Sequence, residues 1–184
     1  MHSSRRSYCG KSACYIGLAC KEVGSKLYSV DHHRGSEEQQ YGEEYFDKEI
    51  YNFSTKQVNT LPLFLKNIRK FNLQDHIEPM VMTSVDASFK VPDNLDLIFI
   101  DGAHWEPIPK QDLENCKKLA HENTIVLFDD TCYSEKLAKG WNNYPTKVWR
   151  DAIENNEIVE IGHEDFCQGR GMSWGKYVFD NEVI

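Results

Sequence analysis

Three aspartates directly follow two largely apolar runs, and together they have the chemistry of a metal site. Asp101 follows residues 95–100, whereas Asp129 and Asp130 follow residues 124–128. An apolar run that stops at an acid is typical of a buried parallel strand, and ligands of parallel sheets bind beyond the carboxyl ends of the strands. Carboxylate oxygens are also the ligands that hard divalent cations prefer. We therefore predict a cation site formed by these three side chains.

A second set of polar residues lies near the N-terminus. Ser7, Gly10 and Ser12 stand at the start of a predicted helix, where free backbone N–H groups favour a polar or anionic ligand. A phosphate-binding Walker loop is disfavoured, because Arg5 occupies the position of its first glycine. Asp31 ends a strand about twenty residues beyond the glycine turn, where a carboxylate accepts both hydroxyls of a ribose. The alternative for Asp31 is the cap of a helix or a turn.

The elements that must position these residues alternate between helices and strands. The patterns predict helices over residues 10–23, 61–71, 107–120 and 147–155, and strands over residues 26–31, 77–83, 95–100, 124–130, 157–162 and 173–179. This alternation predicts one α/β domain over residues 1–184 with a largely parallel sheet. Residues 32–53 show no clear period, so we predict a long loop there, with His32 and His33 solvated.

Composition narrows the class of protein. The chain has 184 residues, 40% of them hydrophobic, which is enough for one well-buried domain. A formal charge of −8 without a basic stripe argues against a nucleic-acid partner. No run approaches the roughly 20 apolar residues of a membrane span, so we expect a soluble cytoplasmic protein without a membrane partner. The six cysteines show no zinc or disulfide spacing, which favours free thiols.

Five segments, taken in order, resemble one protein family. Residues 7–12, 28–31, 99–104 and 127–131 are similar to the cofactor loop, the ribose-binding strand end and the metal-binding strand ends of class I S-adenosylmethionine-dependent methyltransferases. Residues 169–175 resemble the closing loop and last strand of the small metal-dependent O-methyltransferase-like branch. The resemblance implies a Rossmann-like fold, with a mostly parallel sheet covered by helices on both faces. It also implies methyl transfer from S-adenosylmethionine to a small hydroxylated molecule, assisted by Mg²⁺ or a similar ion.

The resemblance also implies roles for individual residues. The residues that would line the cofactor are Ser7, Tyr8, Gly10, Ser12, Asp31 at the ribose, Ser84 near the adenine, and Asp101. Asp101, Asp129 and Asp130 would bind the cation, with Asp101 also taking part in catalysis. His104 matches the position of a general base, and a neutral imidazole accepts a proton near neutral pH. The alternative for His104 is a cap of the helix that begins near Pro107.

The beginning of the chain departs from the family pattern. Residues 1–6 are polar and basic, and Arg6 stands where the family has a glycine. The pattern therefore predicts a truncated first strand, which is central in this fold, and an open sheet edge that would favour a homo-oligomer. Three explanations remain open: a fragment or incomplete gene product, which we favour, a poorly formed strand, or a protein that has lost catalysis. The alternative function is accordingly an inactive cofactor-binding or scaffold domain, or a fragment of a methyltransferase.

Overall fold

The computed structural model describes residues 9–43, 46–134, 143–166 and 170–179, except for the side chain of Glu38. The chain divides into two compact units, Met1–Ala87 and Ser88–Ile184. Predicted site residues fall in both units. Ser7, Tyr8 and the predicted truncation at residues 1–6 lie outside the described ranges.

The first unit contains a small parallel sheet with helices. In chain order its elements are α1 (Lys11–Val23), β1 (Leu27–Val30), a 3₁₀ turn (Glu37–Gln39), β2 (Tyr51–Asn52), β3 (Gln57–Val58), α2 (Leu61–Lys70), β4 (Ile77–Met80) and α3 (Ser84–Ala87). Strands β1 and β4 pair in parallel, whereas β2 and β3 form a short antiparallel pair. Helix α1 ends at Gly24, which adopts a left-handed conformation with φ 73°.

A compact apolar core holds α1 and α2 on the parallel pair. Its buried members are Cys14, Phe64, Ile68, Leu73 and Ile77. Gly17 lets α1 approach β4 closely, because a Cβ atom at this position would lie only 2.5 Å from Cδ1 of Ile77. This packing fixes the carboxyl ends of β1 and β4, which carry the predicted cofactor residues.

The second unit is built on a four-stranded mixed sheet. Its elements are β5 (Leu95–Ile100), α4 (Ile108–Lys117), β6 (Ala120–Asp129), α5 (Tyr144–Glu154), β7 (Ile158–Asp165) and β8 (Gly171–Tyr177). The strand order is β5-β6-β8-β7. Strands β5 and β6 are parallel, and β8 is antiparallel to both β6 and β7. In the core, Phe128 stacks on the fully buried Trp149 with 5.7 Å between ring centroids.

Several predicted boundaries were wrong. Helix α5 begins at Tyr144 rather than at residue 147, and β7 extends to Asp165 rather than to residue 162. Two further differences have local reasons. The helix predicted over residues 107–120 ends at Lys117, and Ala120 instead begins β6 opposite Leu95. The hydroxyl of Thr124 donates to the carbonyl of Leu95, which draws this segment into the sheet. The strand predicted over residues 77–83 ends at Met80, because the chain turns there towards α3.

Strand direction, the state of the cysteines and the character of the helices also bear on the sequence predictions. Parallel pairing is found in β1–β4 and β5–β6, whereas the C-terminal strands pair in antiparallel fashion. No disulfide joins the described cysteines, which are Cys9, Cys14, Cys20, Cys116 and Cys132. Among the described helices, none combines the length and the apolar character needed to cross a membrane.

Candidate functional site

The structure brings together the three aspartates that follow β5 and β6. Because the two strands are parallel and Ile100 lies opposite Phe128, their carboxyl ends meet at one edge of the sheet. Asp101 comes directly after β5, Asp129 is the last residue of β6, and Asp130 comes next. One carboxylate oxygen from each aspartate lies within 4.8 Å of those from the other two. Three hard oxygen ligands at this spacing fit a divalent cation.

The electrostatics of this cluster favour a positive partner. Burial and the neighbouring carboxylates of Asp129 and Asp130 raise the pKa of Asp101 to about 7. Burial and the charge of Asp130 raise the pKa of Asp129 to about 6. Asp101 as a whole residue is exposed, but the surrounding protein atoms still desolvate its carboxylate. A bound cation would remove both the repulsion and the cost of ionising these groups.

His104 is placed against the cluster by the turn that follows β5. Its Nε2 atom lies 2.5 Å from Oδ2 of Asp130, and both side chains are largely buried. Nε of Arg170 lies 4.0 Å from the other oxygen, Oδ1 of Asp130. The N-cap position of α4 is occupied by Pro107. The imidazole therefore orients a candidate metal ligand, which is a common role of histidine and carboxylate pairs around metals.

A fourth carboxylate, Asp112, lines the same small cavity and was missed by the sequence analysis. Asp112 is a buried residue of α4, and the cavity also includes all three aspartates of the cluster. A Cβ atom at Gly102 would lie 2.7 Å from Oδ2 of Asp112, so the glycine lets this acid approach the turn after β5. A signal was available, because Asp112 shares the buried face of α4 with Pro109 and Leu113.

The predicted cofactor loop is described from Cys9 onwards. Gly10 is buried at the N-cap position of α1, with a left-handed φ of 96°. A Cβ atom there would lie 2.7 Å from the ring of Phe64, so packing as well as backbone conformation requires glycine. Ser12 lies in the first turn of α1 and is half-buried. Ser7 and Tyr8 remain predictions outside the described residues.

Asp31 and Ser84 follow neighbouring strands of the first unit. Val30 of β1 lies opposite Met80 of β4; Asp31 follows the first strand, and Ser84 begins α3 shortly after the second. Oδ1 of Asp31 accepts a hydrogen bond of 2.7 Å from the backbone N–H of His33. Thus the turn-capping role considered for Asp31 is present in the structure. The side chain remains 36% exposed, which leaves room for a ligand at the carboxylate.

His33 was expected to be solvated, and this prediction was wrong. The side chain is only 3% exposed, its Nδ1 atom lies 2.7 Å from Oγ1 of Thr60, and burial lowers its pKa. The backbone N–H of Thr60 in turn donates to the carbonyl of His33. Thr60 is the N-cap residue of α2, but no hydrogen bond from its side chain caps the helix. Oδ1 of Asn59 instead accepts from the N–H of Leu61.

Comparison with known proteins gives the geometry a family context. Residues 7–131 match the sequence model of a family described as a methyltransferase domain. Among solved structures, a protein assigned as an rRNA methylase from Clostridium thermocellum is 9% identical over 92% of this chain and 84% of that chain, with a TM-score of 0.59. A protein assigned as a caffeoyl-CoA O-methyltransferase from Staphylococcus aureus is 12% identical over 89% and 81%, with a TM-score of 0.56.

A third structure, of a methyltransferase from Podospora anserina with bound S-adenosylhomocysteine, is 11% identical over 90% of this chain and 77% of that chain, with a TM-score of 0.51. At such low sequence identities, these structures are evidence for the fold alone. The Rossmann-like α/β methyltransferase fold predicted from the sequence is thereby confirmed.

Proposed function

This chain belongs to the methyltransferase domain family, and from that premise we propose that it catalyses metal-assisted O-methylation of a small hydroxylated molecule. Membership confirms the S-adenosylmethionine-dependent methyltransferase class that the sequence motifs predicted. The finer assignment rests on one observation above all. The carboxylate oxygens of Asp101, Asp129 and Asp130 lie within 4.8 Å of one another, at the ends of two parallel strands.

Asp101, Asp129 and Asp130 are the residues that would hold the cation. A divalent ion at this point would bind acceptor oxygens and favour the ionised hydroxyl. The raised pKa values of Asp101, about 7, and of Asp129, about 6, support this assignment, because groups with perturbed pKa values cluster at functional sites. Asp101 follows β5 and is the member of the cluster that we also place beside the cofactor.

His104 is our candidate for the general base. The contact between its Nε2 atom and Asp130 fixes the orientation of the ring and favours a proton on Nε2. Nδ1 is then the atom that receives the proton of the acceptor hydroxyl. S-adenosylmethionine would supply the methyl group: the acceptor oxygen would bond to the methyl carbon as the carbon–sulfur bond breaks. The products would be the methyl ether, S-adenosylhomocysteine and a protonated imidazole.

The cofactor assignment concerns the first unit. Gly10 and Ser12 begin α1, whose first N–H groups suit a carboxylate or another polar group. Oδ2 of Asp31 would accept the ribose hydroxyls while Oδ1 stays bound to the N–H of His33. Ser84 would lie near the adenine. The structural neighbour from Podospora anserina that carries S-adenosylhomocysteine supports this choice of cofactor through its shared fold.

The decisive experiment is a methyl-transfer assay with radiolabelled S-adenosylmethionine and a panel of phenols and sugars, with Mg²⁺ or with EDTA. The double variant Asp129→Ala/Asp130→Ala should lose all metal-stimulated transfer, because two of the three ligands are gone. The double variant Asp93→Ala/Asp96→Ala is the matched control, since both aspartates are exposed near β5. Metal-stimulated transfer that survives in the first variant would overturn the metal role. Cofactor binding without transfer to any acceptor would instead favour an inactive cofactor-binding domain.

A further inference from the structure

The segment that follows the metal-binding aspartates is held mainly by side chains of other elements. Asp130 itself has a left-handed φ of 54°, a conformation that costs most residues other than glycine but that aspartate adopts more readily than most. In the loop 131–134 that follows, the backbone N–H of Tyr133 donates to Oδ1 of Asp165 at 2.8 Å. The N–H of Ser134 donates to Oδ2 of the same carboxylate at 2.9 Å. A single acid at the end of β7 therefore holds two successive peptide groups of this loop.

His163 links Asp165 to Ser173, which makes a second contact with the loop. Its Nε2 atom lies 2.6 Å from Oδ1 of Asp165, and its Nδ1 atom lies 2.9 Å from Oγ of Ser173. Oγ of Ser173 is also 2.9 Å from Oγ1 of Thr131, the first residue of the loop. The ring of Tyr133 stacks on the imidazole, with 3.8 Å between ring centroids and an interplanar angle of 8°. Tyr133 therefore contacts His163 directly, and Thr131 is linked to it through Ser173.

The hydrogen bonds of this network are fixed at its Asp165 end. The carboxylate of Asp165 accepts only, so Nε2 of His163 carries a proton and donates it. Oγ of Ser173 lies within hydrogen-bond distance of both Nδ1 of His163 and Oγ1 of Thr131, and the hydroxyl of Thr131 also donates to the carbonyl of Phe128 at 3.5 Å. Thr131 and Ser173 are both 0% exposed. Water is therefore excluded from the bond between these two hydroxyls, whereas the side chains of His163 and Asp165 remain 14% and 23% exposed.

The network lies next to the candidate metal ligands. In the antiparallel pairing of β6 and β8, Met172 is opposite Asp129, and Ser173 is the next residue of β8. A Cβ atom at Gly171 would lie 2.2 Å from the carbonyl oxygen of Thr131, so β8 runs directly against the loop. Strand β8 therefore carries both the partner of Asp129 and the serine that anchors the loop.

We propose that Asp165 and His163 are positioning residues for the cation site. Through the loop 131–134 and Ser173, they hold Asp130 in its left-handed conformation and thereby fix the direction of the Asp129 and Asp130 carboxylates. A residue in an unfavourable backbone conformation persists only where the surrounding structure holds it. This inference rests on the proposed function, because it presupposes that the aspartates bind a cation.

The test is a titration of the metal-free protein with Mn²⁺, followed by electron paramagnetic resonance. In Asp165→Asn, the amide nitrogen would face one of the two peptide N–H groups, so one of the two hydrogen bonds to the loop is lost. We expect Mn²⁺ affinity to fall about tenfold, the magnitude typical of supporting residues around metal ligands. The spectrum of bound Mn²⁺ should also change, since it reports ligand geometry. The matched control is Glu164→Gln, which removes the same charge from the exposed neighbour on β7.

A second variant separates positioning from general stability. Ser173→Ala breaks the link between His163 and Thr131 but leaves both bonds from the loop to Asp165, so we expect about threefold weaker binding, a smaller loss than for Asp165→Asn. Near-ultraviolet circular dichroism shows whether each variant is folded. If Asp165→Asn does not fold, Ser173→Ala decides the question. A folded variant with wild-type affinity and an unchanged Mn²⁺ spectrum would overturn only the positioning role of Asp165 and His163. Wild-type protein that binds no Mn²⁺ would overturn the metal site as well.

Discussion

Asp31 in the first unit and the aspartate cluster in the second unit follow parallel strands in the same way, but they differ in charge density. Asp31 is partly exposed, lies 3.8 Å and 3.7 Å from the Nδ1 atoms of His32 and His33, and has one oxygen bound to the N–H of His33. Asp101 and Asp129 are crowded by each other and by Asp130, and burial raises their pKa values to about 7 and about 6. A partly exposed carboxylate beside two histidines suits neutral hydroxyls, whereas a cation offsets the repulsion within a crowded set of carboxylates. The carboxylates of the two units therefore differ in their surroundings, although both follow parallel strands.

The largest effect expected from this comparison concerns His104 in the second unit. His104→Gln should lower kcat at least 100-fold, because the general base is lost, while cofactor affinity stays unchanged. The measurement is steady-state methyl transfer together with calorimetric binding of S-adenosylhomocysteine. His121→Gln is the matched control, since His121 lies in β6 away from the cluster and contacts only the exposed Asp96 among the ion pairs described. An equal loss of cofactor affinity in His104→Gln would show that the two units do not divide the work as we propose.

The second effect concerns Asp31 and sharpens the comparison from the other side. Asp31→Asn should weaken S-adenosylhomocysteine binding about tenfold, because hydrogen bonds to a charged group are lost, and should leave Mn²⁺ binding unchanged. Asp47→Asn is a close control, since Asp47 also accepts from a backbone N–H two residues ahead, that of Glu49, at 2.8 Å. If Asp31→Asn leaves cofactor binding unchanged, Asp31 serves only as the cap of its turn, and an equal loss in Asp47→Asn would show that the effect is not specific to Asp31.

A smaller effect concerns stability and pH. The pKa of Asp101 is raised in the folded state, so folding favours its protonated form; the stability from this group is complete below its unfolded pKa near 3.8 and is lost as pH rises through about 7. Asp101→Asn should therefore raise the Tm of the metal-free protein at pH 8 by about 2–4 °C, and by less at pH 5. Thermal unfolding in EDTA measures this shift. Asp96→Asn, at an exposed position of the same strand, should change Tm little at either pH; a similar rise would refute the explanation from crowding.

The smallest effect concerns Gly102 beside Asp112. Gly102→Ala places a methyl group against Oδ2 of Asp112 and should reduce stability by about 1 kcal/mol, a typical cost of mild overpacking. Chemical unfolding measures this change, and Gly24→Ala in the first unit provides the contrast. A Cβ atom at Gly24 meets no atom within 4 Å, so its cost arises only from the left-handed φ of 73°. If Gly102→Ala also weakens Mg²⁺ binding and Gly24→Ala does not, Asp112 contributes to the cation site.

The sequence predicted those parts of the site that depend on short segments. Apolar runs that stop at an acid identified β5 and β6 and placed Asp101, Asp129 and Asp130 together. Parallel pairing explains why these aspartates meet, because it brings the carboxyl ends of neighbouring strands to one edge of the sheet. Asp31 was predicted at the end of β1 by the same logic.

Features that depend on contacts between distant residues could not be read from these patterns. The burial of His33 depends on Thr60, 27 residues away. The bond between His104 and Asp130 spans 26 residues, and the bond between Tyr133 and Asp165 spans 32. Sequence periodicity carries no information on which side chains meet across such separations.

The central claim, that the aspartates after β5 and β6 hold a divalent cation, is tested most directly by isothermal titration with Mg²⁺. The protein is first treated with a chelator, and the titration is run at pH 8, where the carboxylates of Asp101 and Asp129 are ionised. We predict one ion per chain for the wild type and no saturable binding for Asp129→Ala/Asp130→Ala. Saturable binding that is unchanged in the double variant, or absent from the folded wild type, would contradict the account.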